Sequence, residues 1–475
     1  MTLSSFKYIA FLAAVSTVYF LLPKKARPAF LLAASYGFYA LWSVGFALLL
    51  ASASLVSWLC ALFYERGLLG KDRLWLRLGL VYLFGMLLLY KYLGFFVNSA
   101  LALSGSDHVF QSAWLLPAGI SFYTFTAASY LFDVGRGKVR AEKSPVYFGL
   151  YMAFFPSILS GPINRAGSLL PQLRAPEDFS YERMKRGLMR FAVGAVKKLV
   201  AADTLGLFVN SVYAELPSQG GGILALAAAA YSLQIYFDFA GYTDMALGSA
   251  ELLGFTLCEN FRAPYLVTSV KSFWKNWHIS LTSWFREYLY FPLGGSRVSK
   301  ERTYVNILIV FAVSGLWHGA DWSFVLWGLL NGLYQVIGQI CEPIRIKKES
   351  KGLDIPRCLF TFMLITAAWV FFRADSTGDA LYILKSILLI PVQGLGFMNI
   401  SAHIGLKQLA LALMVSLAVG LDDYILCKRG KSFTAELADK SFAFWLVLAL
   451  LAFSVLLFGI YGEGFEAQSF VYFNF

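Results

Sequence analysis

Charge is scarce in this chain: 14% of its 475 residues are Asp, Glu, Lys or Arg, against 58% that are hydrophobic. An ordinary water-soluble domain is about a quarter charged, so water cannot be the main solvent here. Cysteine is scarce too. Cys60, Cys258, Cys341, Cys358 and Cys427 are odd in number, far apart and without a CxxC spacing, which excludes a disulfide framework and a thiolate zinc site. Histidine occurs four times, with no HExxH and no pair at i, i+4, so no metal site is expected. A GxSxG elbow and a phosphate-binding loop are missing, as are internal repeats and low-complexity linkers. The chain therefore reads as a single domain over residues 1–475.

What the sequence has in abundance is apolar runs. Candidate spans fall at roughly 6–22, 28–43, 45–64, 74–98, 114–133, 145–160, 222–254, 303–317, 320–341, 356–373, 404–426 and 441–461, most of them long enough to cross a hydrocarbon core of about 30 Å as a helix. This predicts an all-α, polytopic protein of the cell membrane, with about eleven full crossings plus re-entrant and interfacial helices. Two runs are interrupted: 114–133 by Pro117 and Gly119, and 145–165 by Pro156, Gly161 and Pro162. Broken helices at membrane depth persist only where protein or a wet cavity satisfies their backbone, so both are expected to line a cavity. The first run, preceded by one Lys and lacking a small-residue cleavage pattern near Leu22-Pro23, reads as a retained helix rather than a signal peptide.

The net charge of +12 sits in short clusters between the runs: Lys24 to Arg27, Arg66 to Arg77, Arg136 to Lys143, Arg297 to Arg302, Arg345 to Lys351 and Lys428 to Lys431. Clusters of this kind mark cytoplasmic loops, and all six fall on one side if both chain ends lie outside. They are not the continuous basic face that nucleic acid requires, so lipid, not nucleic acid, is the expected partner. Residues 176–200 differ, with Arg183, Lys185, Arg186, Arg190, Lys197 and Lys198 interleaved with apolar residues, and read as an interfacial helix. Residues 255–300, polar and aromatic between two spans, are the expected home of a protein-lined site.

Ionisable residues held at membrane depth are functional candidates. His278 and His318 lie in aromatic, partly apolar settings, whereas His108 and His403 lie in polar stretches. His318 follows Val313-Ser314-Gly315-Leu316-Trp317 and precedes Gly319; the glycines allow close approach. His278 lies in KNWHISLTSWFREYLYFPLGG (275–295), on a predicted helical stripe with Trp274, Leu281 and Phe285, near the positive charges of Lys275, Arg286 and Arg297. In YFDFAGYTDMALGSAELLGF (236–255), Asp244 and Glu251 share a helical face and Asp238 points elsewhere. Such a carboxylate could orient a catalytic imidazole or pair with Arg262 or Arg286; a purely structural buried ion pair is the alternative.

Five segments, LPAGISFYTFTAASYLFDVGRG (116–137), FPSILSGPINR (155–165), YFDFAGYTDMALG (236–248), KNWHISLTSWFREYLYFPLGG and SGLWHGADWSFVLWGLLNG (314–332), resemble in order and spacing the recurring blocks of the bacterial membrane-bound O-acyltransferase family. They cover most of residues 115–335. The branch most resembled acetylates alginate and other exopolysaccharides or peptidoglycan, and the ending Tyr472-Phe473-Asn474-Phe475 is similar to it; a sister branch transfers D-alanine to teichoic acids. The resemblance implies a funnel through the membrane, with His318 as the essential histidine and His278 as the second active-site position. Asn276, Trp317, Asp238, Asp244 and Arg286 are the supporting candidates. It also implies transfer of a small acyl group, most readily acetyl from acetyl-CoA, to hydroxyls of an extracytoplasmic polysaccharide, with an SGNH-type protein as intermediary. No bound cofactor is expected. The rival reading, a transporter or flippase of an acyl or glycolipid carrier, would need matched interrupted helices in two halves, which the sequence does not display.

Overall fold

The structure is a computed structural model and describes residues 1–68, 73–106, 108–111, 114–341, 354–390, 399–438 and 441–461. The basic cluster 345–351 and the aromatic ending 472–475 lie outside the described residues. Among those described, every regular element is helical, as the run lengths predict.

In chain order the helices are α1 Phe6–Leu21, α2 Arg27–Ala40, α3 Val44–Glu65, α4 Leu74–Leu87, α5 Leu93–Leu103, α6 Ile120–Gly135, α7 Pro145–Ala153, α8 Ala166–Arg174, α9 Tyr181–Ala195, α10 Asp203–Ala214 and α11 Gly221–Leu252. Then come α12 Val270–Asn276, α13 Ile279–Phe285, α14 Lys300–His318, α15 Trp322–Ile340, α16 Ile355–Arg373, α17 Thr377–Leu388, α18 Ile400–His403, α19 Leu406–Arg429, α20 Phe433–Ala438 and α21 Ser441–Phe458. Among the described residues, five stretches are long and apolar enough to cross a bilayer, namely α3, the continuous stretch Leu74–Leu103, α11, α16 and α19, with two shorter apolar helices at Phe6–Leu21 and Phe442–Phe458. π-Helical turns join α4 to α5 (Leu88–Tyr92) and α9 to α10 (Val196–Ala202). Insertions of this kind occur frequently at functional sites.

The contacts divide the chain into two compact units, one of residues 1–191 and 245–258, the other of 192–244 and 259–475. In the first unit α3 packs on α4, α6 and α7, and an aromatic cluster of Tyr8, Phe11, Phe38 and Phe155 fills the interior. The two interrupted runs meet here. Gly119 takes a left-handed φ of 75°, and a Cβ at that position would stand 2.5 Å from the Ile158 carbonyl oxygen. Only glycine tolerates both conditions, so the breaks at 117–119 and 154–165 are built to touch. Phe122, Tyr123 and Thr126, just after the first break, line a small cavity with Ser157, Ile158, Pro162 and Asn164 of the second.

In the second unit the π-helical turn Val196–Ala202 packs against α10, α19 and α21, and α14 packs along α15. That hairpin is close because both helices present glycine: a Cβ on Gly315 would stand 2.1 Å from the Phe324 carbonyl oxygen, and one on Gly328 would stand 2.2 Å from that of Phe311. Small residues let membrane helices gain dispersion and backbone contact where lipid offers no hydrophobic drive. Asp321 then caps α15, its carboxylate accepting from the Ser323 N–H at 2.8 Å.

Lys197 and Lys198 correct the expected headgroup-facing helix at 176–200. That stretch is helical up to Ala195 as α9, but both lysines then turn inward on the π-helical segment and are largely buried. Their carboxylate partners decide that orientation: Asp203 close by in sequence, and Asp238 and Asp244 on the distant α11.

Candidate active site

His278 is placed by an abrupt change in chain direction. α12 ends at Asn276, α13 begins at Ile279, and His278 between them holds φ 42° and ψ 54°. This left-handed conformation is unusual for a residue with a Cβ and stores backbone strain of roughly 1–3 kcal/mol. The surroundings impose it: the Ile279 N–H donates to the Asn260 carbonyl at 3.0 Å, the Ser280 N–H to Asn260 Oδ1 at 3.2 Å, and the Arg262 N–H to the Asn276 carbonyl at 3.1 Å. The predicted stripe of Trp274, His278, Leu281 and Phe285 on one continuous helix is therefore not what forms. The break turns the imidazole into the interior, where it is wholly buried.

His318 arrives from the other direction, as the last residue of α14. It is 2% exposed. The two ring centroids lie 6.3 Å apart. An aromatic box encloses both. Phe239 stands edge-on to His278 at 4.7 Å, Trp317 lies 5.9 Å from His278 and 5.0 Å from His318, and Trp327 and Phe372 stand 5.0 and 5.6 Å from His318. Behind them Trp369 stacks on Trp327 at 5.4 Å and tilts against Trp277 at 5.1 Å. In so apolar a surround the charged imidazolium is disfavoured, and burial pushes the His278 pKa down to about 3. A neutral imidazole keeps one donor and one acceptor nitrogen. Hydrogen bonds of about 2.8 Å from two such rings at this spacing can converge on one small polar group between them.

The supporting candidates divide. Trp317 belongs to the box. Asn276 does not reach it through its amide N–H, which donates back to the Ser272 carbonyl at 2.8 Å and caps its own short helix. Arg286, Lys275 and Arg297 are exposed. The two aspartates are held by lysine rather than by Arg262 or Arg286: Asp238 lies 2.7 Å from Lys198, which also meets Asp203 at 2.9 Å, and Asp244 lies 2.8 Å from Lys197. Asp238 reaches the site indirectly, since the next residue is Phe239, the ring edge-on to His278. The glycines flanking His318 also work indirectly. Gly315 and Gly319 make room for Phe324 rather than for a ligand. Phe239 and Trp327 lie inside the quoted segments without being singled out there, and Trp369 and Phe372 lie beyond the last of them, in a run that reads simply as a span.

With this geometry in place, comparison with known proteins is decisive. The family model of membrane-bound O-acyltransferases matches residues 82–374. The chain belongs to that family. The match takes in every segment that builds the histidine box, from α11 to the end of α16, and exceeds the 115–335 core marked by the motifs. The "Probable alginate O-acetylase AlgI" of Azotobacter vinelandii is 37% identical over 368 residues, 76% of this chain and 73% of the relative. Its counterpart in Pseudomonas aeruginosa is 35% identical over 87% of this chain and 80% of the relative. The "Peptidoglycan O-acetyltransferase" of Helicobacter pylori is 33% identical over 80% of this chain and 78% of the relative. The protein is thus a membrane-bound O-acyltransferase, a multi-pass enzyme of the cell membrane.

Proposed function

We propose that this enzyme moves an acetyl group from acetyl-CoA, presented on the cytoplasmic side, to hydroxyls of an extracytoplasmic polysaccharide, as in alginate or related exopolysaccharide modification. The acetyl group passes either directly or through a secreted or membrane-anchored SGNH-type protein. The observation that carries the reading is the pair of buried imidazoles 6.3 Å apart. The names of the relatives, alginate O-acetylase and peptidoglycan O-acetyltransferase, support the acyl group and acceptor class.

His318 acts as general base. It takes the proton of the acceptor hydroxyl as the oxygen attacks the thioester carbonyl, a task suited to an imidazole whose ordinary pKa is about 6.5. The C–S bond then breaks, and the thiolate leaves with the proton that His318 returns. His278, neutral, donates its N–H to the oxyanion that forms on the carbonyl, where a preset donor in a dry site is worth far more than in water. Trp317 fixes both rings. At 2% exposure His318 is shielded from water, so turnover requires the lining to part. Phe324 and Phe372, 4.9 Å apart edge to face, are the rings placed to do so, because each lies at the end of its helix next to His318.

The test is reconstitution of the full-length protein in liposomes with radiolabelled acetyl-CoA outside and an oligosaccharide acceptor within. Conversion of His318 to Gln should abolish transfer while membrane insertion and melting temperature are kept; normal transfer in that variant overturns the assignment. Transfer of D-alanine from a carrier-protein thioester, with none from acetyl-CoA, would instead place the enzyme in the teichoic acid branch. Vectorial movement of an intact carrier without chemistry would return the transporter reading.

A further inference from the structure

Three hydrogen bonds that frame His278 run to one short segment, residues 260–262, and Asn260 makes two of them. Its main-chain carbonyl accepts from the Ile279 N–H at 3.0 Å and its side-chain Oδ1 from the Ser280 N–H at 3.2 Å, so this residue meets two consecutive N–H groups just beyond His278. The next residue, Phe261, stands edge-on to Phe239 and to Trp277, each at 5.0 Å, and Phe239 is the ring edge-on to His278. Residue 260 therefore belongs to the wall of the histidine box.

Two signs mark this segment as more than a scaffold. The first is strain. Ala263, with φ 48°, and His278, with φ 42°, are the only residues other than glycine with a positive φ among the described residues. They flank the same pairing, in which the Arg262 N–H donates to the Asn276 carbonyl at 3.1 Å. Left-handed conformations at residues with a Cβ persist where the surroundings over-determine them, and they cluster at active sites and ligand clamps.

The second sign is an unanswered donor. Asn260 is wholly buried, yet its Nδ2 meets no acceptor among the described residues. Exchanging the amide oxygen and nitrogen would not cure the mismatch, because Nδ2 would then face the Ser280 N–H, donor against donor. A buried N–H pair left unmet carries its full desolvation penalty, and the great majority of buried polar groups are paired. Trp277 also has a buried N–H without an acceptor, but it lies among the rings of Phe261, Phe273 and Trp369 at 5.0 to 5.3 Å, whose faces can accept it. The Asn260 carboxamide, pinned by its oxygen, holds two donors in place beside His278.

We propose that Asn260 is a further catalytic residue of the acyl-transfer site, its carboxamide N–H donating beside His278 to the oxygen of the thioester carbonyl. The inference rests on the acyl-transfer reading and adds a second donor to it. As the acceptor oxygen bonds to the carbonyl carbon, the C=O π pair moves onto the carbonyl oxygen, where the His278 and Asn260 N–H groups hold the negative charge. When that pair returns, the C–S bond breaks and the sulfur leaves with the proton that His318 passes on. Asn260 gives up no proton and changes no bond. Two neutral donors suit an apolar box, since they are preset for a charge that exists only during the reaction.

The test uses the purified full-length protein and acetyl-CoA carrying carbon-13 at the carbonyl, read by isotope-edited infrared difference spectroscopy beside the transfer assay. Donors in a dry site should bring the carbonyl band of bound acetyl-CoA below its position in water. Asn260→Leu should return part of that shift and lower kcat by about 10²-fold or more, with the acetyl-CoA KM within about threefold of wild type. Asn260→Asp keeps the oxygen that meets Ser280 and lacks the N–H pair. Measured at pH 9, the upper end of the range to which burial lifts a carboxyl, it should show the same loss, whereas a capping role alone predicts wild-type kcat and band position in this variant.

Wild-type kcat in either variant, or a band that stays at its wild-type position in both, overturns the assignment to Asn260 and leaves acyl transfer standing. A wild-type band at or above its position in water does the same and needs no variant to fold. Wild type that neither binds acetyl-CoA nor transfers its acetyl group overturns the acyl-transfer reading, and the assignment with it, so the two failures are told apart in the unmutated protein.

Discussion

Replacing Gly315 by Ala adds a single methyl group at the tightest point of the α14–α15 hairpin, three residues before His318. The new carbon would lie 2.1 Å from the Phe324 carbonyl oxygen, and real Cβ contacts essentially never fall below 3.0 Å. The helices must therefore separate by about 1 Å, and the obstacle is backbone, which cannot swing aside. Overpacking of this kind costs about 1–3 kcal/mol in stability. The effect on turnover is larger, because a displacement of about 1 Å at a catalytic group can cost about 10²-fold. Gly315→Ala should thus lower kcat by about two orders of magnitude in the acetyl-transfer assay while the protein still inserts and purifies as a folded species. Gly338→Ala is the matched control. It lies on α15, has nothing within 4 Å of the added carbon, and exchanges a poor helix former for a good one, so it should melt no lower than wild type with normal turnover. If Gly315→Ala keeps turnover within threefold of wild type, close apposition of α14 and α15 does not position His318.

The buried lysine network makes an ordering prediction. Lys198 answers two carboxylates, Asp238 at 2.7 Å and Asp203 at 2.9 Å, so Lys198→Met strands both and should cost about 3–5 kcal/mol, seen as a large drop in melting temperature by tryptophan fluorescence. Asp238→Asn leaves one pair intact and relieves carboxylate repulsion, so its drop should be less than half as great; equal drops would contradict this account. A pH prediction comes from His278, whose pKa burial lowers to about 3 from an ordinary 6.5 or so. Below about pH 6.5 the unfolded chain takes up a proton that the folded chain refuses, so stability is full above that pH and is lost as pH falls toward 3. His278→Gln should flatten this acid loss relative to wild type in melting curves from pH 7 to 4.5. Coincident curves would show that the ring titrates freely in the folded protein.

How much of this could be read in advance follows from the range of the interactions involved. Spans such as α3, α11 and α16 are legible because hydrocarbon thickness fixes their length and composition, and Pro156 and Gly161 announce a break for local steric reasons. The break at Trp277-His278 is not legible. Nothing from Val270 to Phe291 is Pro or Gly, and the strain is imposed by Asn260, eighteen residues away. α10 is hidden for a different reason: at twelve residues, with Asp203 in its first turn, it is too short and polar for a hydropathy window. The histidines themselves were legible, since four in such a chain are few, but not the company they keep.

The aspartates of the YFDF and YTDM segments are answered by lysine, Asp238 by Lys198 and Asp244 by Lys197, and the company of the histidines gives that pairing its physical sense. A carboxylate beside His318 would stabilise the imidazolium and make a stronger base, but it would also bring an uncompensated charge into a lining made of Phe239, Trp317, Trp327, Trp369 and Phe372. Burying an ion without a partner costs several kcal/mol. The sequence places its carboxylates one residue before Phe239 and six beyond Asp238, and Lys198 and Lys197 neutralise them there. Their charge then serves to hold α11, and the ring that α11 presents is what touches His278. On the mechanism proposed above, catalysis at a neutral imidazole in a dry box needs fixed geometry more than it needs a third charged group, and the lysine–aspartate pairs that hold α11 contribute to that geometry.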